Sequence, residues 1–150
     1  MLYLVRHGKA EEGLYDDARR LTAGGRKAVR RAAERLAAAG VTVDRIEHSG
    51  LTRAQETAEI LADLLGGELN AVSGLRPGDD VRPMAQWLAA EADGNVMLVG
   101  HLPFMERLVS YLLTGDADAA AVHFRTATIA ALELQGGSWA LEWLLPPRLL

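Results

Sequence analysis

Arg6-His7-Gly8, Arg53 and Gly100-His101 are where this 150-residue chain puts cationic and imidazole side chains just beyond apolar runs. Two arginines and two histidines suit one kind of chemistry. A guanidinium matches phosphate oxygens two at a time. A neutral imidazole offers a lone pair that can attack phosphorus and then carry the phosphoryl group. To do so, it must keep its other ring nitrogen protonated and oriented, usually by a backbone carbonyl. Helix N-termini near the same spot would add backbone N–H groups and a partial positive charge.

The elements that would position these groups follow from the hydrophobic pattern. Met1 to Val5 is a continuous apolar run, the pattern of a strand covered on both faces. Residues 8–21 are polar, contain Gly8 and Gly13, and read as a loop. Leu21-Thr22 opens a helix ending at Gly40, with Val29, Ala32, Ala33 and Leu36 on the i, i+3, i+4, i+7 stripe. Arg26, Lys27, Arg30, Arg31 and Arg35 take its other faces, and such a run is more often a solvated surface than a binding patch. Val43–Glu47 is a weaker strand. Leu51–Leu65 is a helix stopped by Gly66-Gly67. Leu69–Val72 is a short strand, Ser73–Asp80 a loop, Val81–Ala92 a helix and Val96–Val99 an all-apolar strand. A helix from Pro103 to about Leu113 follows, with proline in its first turn. Thr128–Leu134 and Trp139–Leu145, joined by Gln135-Gly136-Gly137-Ser138, read as a hairpin.

Alternating strands and helices predict an α/β fold: a three-layer domain spanning 1–150, a mainly parallel sheet with helices on both faces and a C-terminal hairpin-like strand pair. Parallel sheets place ligands outside the carboxyl ends of their strands. Arg6-His7 and His101 fall at two such ends, and Arg53 falls in the first turn of the helix after a third. Gly8 would let the chain turn away without a side chain over the site.

Composition narrows the classes. Apolar residues make up 49% of the chain and charged residues 24%, an ordinary globular mixture, and a chain this long buries roughly 70% of its unfolded surface. There is no cysteine, which excludes disulfides and a thiolate nucleophile and fits a reducing compartment. The net charge of −4 argues against non-specific nucleic-acid binding. No apolar run approaches the ~20 residues of a membrane span, and residues 1–20 do not read as a signal peptide. The expectation is a cytoplasmic protein without nucleic-acid or membrane partners. The four histidines are scattered and form no i, i+4 pair, so neither a metal nor a cofactor is expected. Neither G-x-G-x-x-G nor G-x-x-x-x-G-K-[ST] occurs.

In these residues the chain resembles the histidine phosphatase superfamily, the group related to phosphoglycerate mutase. The hallmark "RHG" is Arg6-His7-Gly8. The pattern S-x-x-x-R-A-x-x-T-A is Ser49 through Ala58, containing Arg53 and Thr57. The second histidine follows an apolar strand as "VMLVGH", ending at His101. The resemblance implies that His7 is the phosphorylated nucleophile and that Arg6, Arg53 and His101, with the backbone at Gly8, hold the phosphoryl oxygens. The compact length, "DDARRLTAGG" and "GHLPFMERLV" look most like the short SixA-type phosphohistidine phosphatases. That likeness implies hydrolysis of phosphohistidine on a protein; a small phosphate ester as substrate, or a phospho-ligand binding module, are the competing readings. His48 replaces a commonly small residue and reads as a strand-end neighbour. His123 matches no catalytic motif and reads as structural.

Larger relatives carry a carboxylic acid after the third strand. Here "SGLRPGDD" offers Asp79 and Asp80 by position, although the family's Glu is not matched. Glu11, Glu12, Asp16 and Asp17, in the loop after the nucleophile, are alternatives, and all six can equally be solvated loop charges. A phosphohistidine substrate needs an acid less, because a ring already protonated at its other nitrogen leaves as neutral imidazole. Residues 68–95 hold one strand, one loop and one helix, which leaves no room for a lid insertion.

Overall fold

Leu2–Arg6 forms β1 at the middle of a six-stranded sheet in a computed structural model that describes residues 1–150. Alternate side chains of β1 face opposite ways, as strand geometry demands, and both sets are apolar. Tyr3 and Val5 pack with α1 (Ala23–Ala38) and α2 (Thr52–Leu65), while Leu2 and Leu4 pack with α3 (Arg82–Ala90) and α4 (Phe104–Thr114). The result is three layers with an apolar cluster on each side of the sheet, as the continuous apolar runs require.

The remaining strands are β2 (Arg45–His48), β3 (Glu68–Ala71), β4 (Val96–Gly100), β5 (Ile129–Gln135) and β6 (Ser138–Leu145). Their order across the sheet is β3-β2-β4-β1-β5-β6. The first four run parallel; β5 is antiparallel to β1, and β6 folds back on β5 through Gly136-Gly137, both at positive φ. Every predicted element is present, with ends moved by only a few residues. Thr22 caps α1 by accepting a hydrogen bond from the Gly25 N–H at 2.8 Å.

Register is what builds the site. Arg6 pairs with Gly100, and Val99 pairs with His48, so β1, β4 and β2 end level with one another. The His7 N–H continues the ladder to the Gly100 carbonyl at 3.0 Å. Connections also diverge here. The chain leaves β1 over the α1 face and leaves β4 over the α4 face, which opens a crevice at these strand ends.

Candidate active site

His7 and His101 stand side by side at the carboxyl ends of β1 and β4, with ring centroids 5.0 Å apart. Both are buried. His7 Nδ1 lies 2.7 Å from the Gly8 carbonyl. A carbonyl only accepts, so Nδ1 carries the hydrogen and Nε2 keeps a free lone pair. Burial, reinforced by the charges of Arg53 and Arg6 and opposed by the Gly8 bond, pushes the His7 imidazole down to about 4. Burial, then His7 and Arg53, pushes His101 down to about 3. Both rings are therefore neutral near pH 7, the state a nitrogen nucleophile needs.

At the ends of β1 and β4, two buried polar atoms have no protein partner: Arg6 Nε and His101 Nδ1. Arg6 is held from behind, its Nη1 donating to the Phe124 carbonyl at 2.9 Å. The Phe124 N–H in turn donates to Glu106 Oε2 at 2.8 Å. His101 Nε2 is 2.6 Å from Ser49 Oγ, and that oxygen accepts from the Leu51 N–H at 3.2 Å. When the serine donates its hydrogen to Nε2, the neutral His101 ring carries its own hydrogen on Nδ1. The crevice thus offers an unpaired guanidinium N–H and an unpaired imidazole N–H beside a free imidazole lone pair. Buried donors are rarely left unpaired, and a phosphoryl group would satisfy both.

Arg53 lies in the first turn of α2 and is only 4% exposed. Its guanidinium is gripped by the loop after β1: Nη1 donates to the Asp16 carbonyl at 2.8 Å, and Nη2 to Asp16 Oδ2 at 3.2 Å. Hydrogen bonding from Arg19 and Arg53 holds the Asp16 carboxyl below its usual range. The structure therefore brings Arg6, His7, Arg53 and His101 together as the motifs predict. Of the loop acids it adds only Asp16 to the cluster; Glu11 and Glu12 are exposed, and Asp17 lies 3.9 Å from Arg76.

Three expectations need correction. Gly8 is not there to keep a side chain off the crevice. A Cβ on it would lie 2.8 Å from Val29 Cγ2 and 3.1 Å from the Gly25 carbonyl, so its bare backbone admits α1. Its N–H is also taken, donating to Thr57 Oγ1 at 3.1 Å. Asp79 and Asp80 line a cleft with Pro103, Arg107 and Tyr111, and their hydrogen bonds go to Arg76 and Arg82 rather than to the histidines. Asp79 accepts from the Arg76 N–H at 2.9 Å. Asp80 is chelated by the Arg82 side chain and N–H, which pushes it down to about 2, and an ionised carboxylate has no proton to donate. His123 is exposed, near Glu106 at 3.7 Å, and supports nothing in the interior. His48 does sit at its strand end, its Nδ1 accepting from the Gly50 N–H at 3.1 Å.

Supporting residues complete the arrangement. Thr57 is fully buried; besides accepting from Gly8, its hydroxyl donates to the Arg53 carbonyl at 2.7 Å. One side chain thereby ties the backbone of the Gly8 turn to that of Arg53. Glu56 accepts from the Leu21 N–H at 2.8 Å and pairs with Arg20 and Arg26, which pins the end of the long loop to α2. Ser49 and Thr57 lie inside the S-x-x-x-R-A-x-x-T-A motif, but residue type and spacing alone give neither a role. Glu56 carried no signal beyond being a charge on the inner side of a helix.

A catalytic-looking imidazole pair with two arginines, at the carboxyl edge of a doubly covered sheet, defines a phosphoryl-transfer class of protein. The family model for the histidine phosphatase superfamily (branch 1) matches residues 2–79, just over half of the chain, and the chain belongs to that superfamily. It is a hydrolase of the phosphatase type. Phosphohistidine phosphatase SixA of Escherichia coli is 29% identical over 153 residues, covering 97% of this chain and 93% of that one. The solved structure of protein histidine phosphatase SixA complexed with tungstate superposes with a TM-score of 0.89 at 28% identity, covering 98% of this chain and 97% of that one. A chain from Agrobacterium tumefaciens assigned as a SixA phosphohistidine phosphatase gives a TM-score of 0.82 at 26% identity, covering 97% of each.

Proposed function

We propose that the protein removes the phosphoryl group from phosphohistidine on proteins through a phosphohistidine intermediate on His7. The observation that carries this reading is the free Nε2 of a neutral, oriented His7 beside two buried and unpaired donors, Arg6 Nε and His101 Nδ1. Phosphohistidine enters with its other ring nitrogen protonated. His7 Nε2 attacks phosphorus, the P–N bond to the substrate ring breaks, and that ring departs as neutral imidazole. The phosphorylated His7 ring retains its Nδ1 hydrogen on the Gly8 carbonyl. Water then attacks phosphorus, the bond to Nε2 breaks, inorganic phosphate leaves and neutral His7 is restored. Arg6, Arg53 and the His101 Nδ1 hydrogen bind the three phosphoryl oxygens as charge shifts onto them.

The substrate assignment has two supports. A relative similar over nearly the whole chain is a phosphohistidine phosphatase. In addition, the histidine pair has no protonated carboxyl beside it: Asp80 is ionised in its own ion pair, and Asp16 is ionised on Arg53. An alcohol leaves poorly without a proton donor, whereas an imidazole leaves acceptably. The test is a turnover comparison of a phosphohistidine protein, phosphoserine and a sugar phosphate. The expected order places phosphohistidine far ahead in kcat/KM. A better sugar phosphate would turn the reading into a general phosphomonoesterase, and vanadate binding without turnover of any substrate would make the protein a phospho-ligand binding module.

A further inference from the structure

The loop between the nucleophile and α1 is closed and braced. Its ends meet where the Glu11 N–H donates to the Arg20 carbonyl at 2.8 Å. Arg19 Nε donates back to the Glu11 carbonyl at 2.7 Å, and the Ala18 N–H to the Tyr15 carbonyl at 3.1 Å. On one flank Asp16 holds Arg53; on the other Asp17 approaches Arg76.

Compact loops of this kind usually pack their own side chains beneath them. This one does not, and every residue from 11 to 18 is exposed. Leu14 is 98% exposed and Tyr15 77%. Leu149, near the C-terminus, is the only other large apolar side chain above 43%. A braced loop has thus set two consecutive large apolar residues in water, next in sequence to the aspartate that grips the phosphate-binding Arg53. A sugar phosphate would gain little from a leucine and a tyrosine, being polar where they are apolar. A ligand body larger than the phosphorylated group, and apolar around it, would touch both features at once.

Resting on the phosphohistidine-protein reading above, we propose that Leu14 and Tyr15 form the docking contact for the substrate protein and seat against apolar side chains flanking its phosphohistidine. Both side chains are exposed, so replacing them removes no contact from the core.

The test uses the double variant Leu14→Ser/Tyr15→Ser and three substrates. Two are versions of a folded single-histidine protein phosphorylated with phosphoramidate, one with leucine and valine around the histidine and one with aspartates there. The third is free phosphohistidine. Loss of even part of the apolar contact weakens binding by about tenfold. The expected result is a roughly tenfold fall in kcat/KM on the apolar-flanked protein, carried by KM, and unchanged turnover of free phosphohistidine. The variant should also lose the wild type's preference for apolar over acidic flanks, and Leu14→Met/Tyr15→Phe should keep it. A uniform fall on all three substrates, or no fall on the apolar-flanked protein, overturns the docking role while the wild-type activity stands. If the wild type hydrolyses free phosphohistidine but neither protein, the protein-substrate reading falls and the docking surface with it.

Discussion

Ser49 Oγ sits 2.6 Å from His101 Nε2, joining the end of β2 to the end of β4. This bond sets which nitrogen of His101 faces the crevice with a hydrogen. Ser49→Ala would leave a buried ring nitrogen unpaired and free the tautomer to change. Leaving a buried group unsatisfied costs about 1–3 kcal/mol, so kcat/KM is expected to fall by about tenfold or more while the far-ultraviolet spectrum is unchanged. Steady-state kinetics on phosphohistidine checks it. Undiminished kcat/KM would mean that His101 is oriented by something other than Ser49.

His7→Ala is expected to abolish turnover with the fold intact. Quenched wild-type enzyme should carry acid-labile phosphate, and the variant none. Activity within tenfold of the wild type would remove His7 from the nucleophile's role.

The two imidazoles also set a pH response. An unfolded histidine titrates at about 6.5, whereas burial holds His7 down to about 4 and His101 down to about 3. Between those values the unfolded chain binds protons that the native chain does not. Stability is therefore unaffected by these groups above about pH 6.5 and declines as pH falls toward 4 and then 3. At pH 5 each ring can account for about 2 kcal/mol. Urea midpoints at pH 7 and pH 5 should fall more for the wild type than for His7→Asn/His101→Asn. Turnover of the wild type, divided by the fraction of substrate whose ring is protonated, should meanwhile stay level from pH 8 to pH 5, because Nε2 of His7 remains free. An enzyme-side decline centred near 6.5 would contradict the buried neutral pair.

Much of this was legible in the chain because periodicity and strand-end position are local properties. The apolar runs ending in Arg6-His7 and Gly100-His101 already located two strand ends, and parallel pairing then brings them together. What the pattern could not carry were contacts fixed by register and packing. Gly8 reads as a turn residue, but its lack of a Cβ answers to Val29 in the middle of α1. Asp79 and Asp80 looked like acids by position, yet local hydrogen bonds to Arg76 and Arg82 absorb them, and short-range pairing of that kind leaves no periodic trace. Asp16 was one of several loop acids, and only the folded loop singles it out by placing it on Arg53.

That placement makes Asp16 a competitor for the guanidinium. Its carboxylate occupies Arg53 Nη2, which a phosphoryl oxygen would use. Arg53 is buried but the Asp16 carboxylate is more than half exposed, so solvent screens their pairing to about 1 kcal/mol, and Asp16→Asn should tighten vanadate binding by about two- to fivefold. Arg53→Ala should weaken it by about ten- to a hundredfold, and Arg53→Lys by less, since a charge without the planar fork recovers only part of the contact. Equilibrium titration measures all three. Vanadate affinity unchanged in Arg53→Ala would place that arginine outside the phosphate site.

The role of the 76–82 segment is decided by a comparison of leaving groups. Were Asp79 or Asp80 a proton donor, removing both carboxylates would slow an alkyl phosphate far more than phosphohistidine, because only the alkoxide needs the proton. The structure argues for a different result. Asp80 is held ionised by Arg82, and Asp79 is spent on the Arg76 N–H, closing the turn that carries the Arg76 side chain toward Asp17. Asp80→Asn should therefore leave both substrates within about twofold of wild type, a change too small for a lost proton donor, which is worth roughly a hundredfold or more. Asp79→Asn should loosen the turn and affect both substrates in parallel. The check is the ratio of kcat/KM values for phosphohistidine and an alkyl phosphate in each variant. A ratio that stays constant supports a structural turn, and a selective loss on the alkyl phosphate would restore one of these aspartates as the acid.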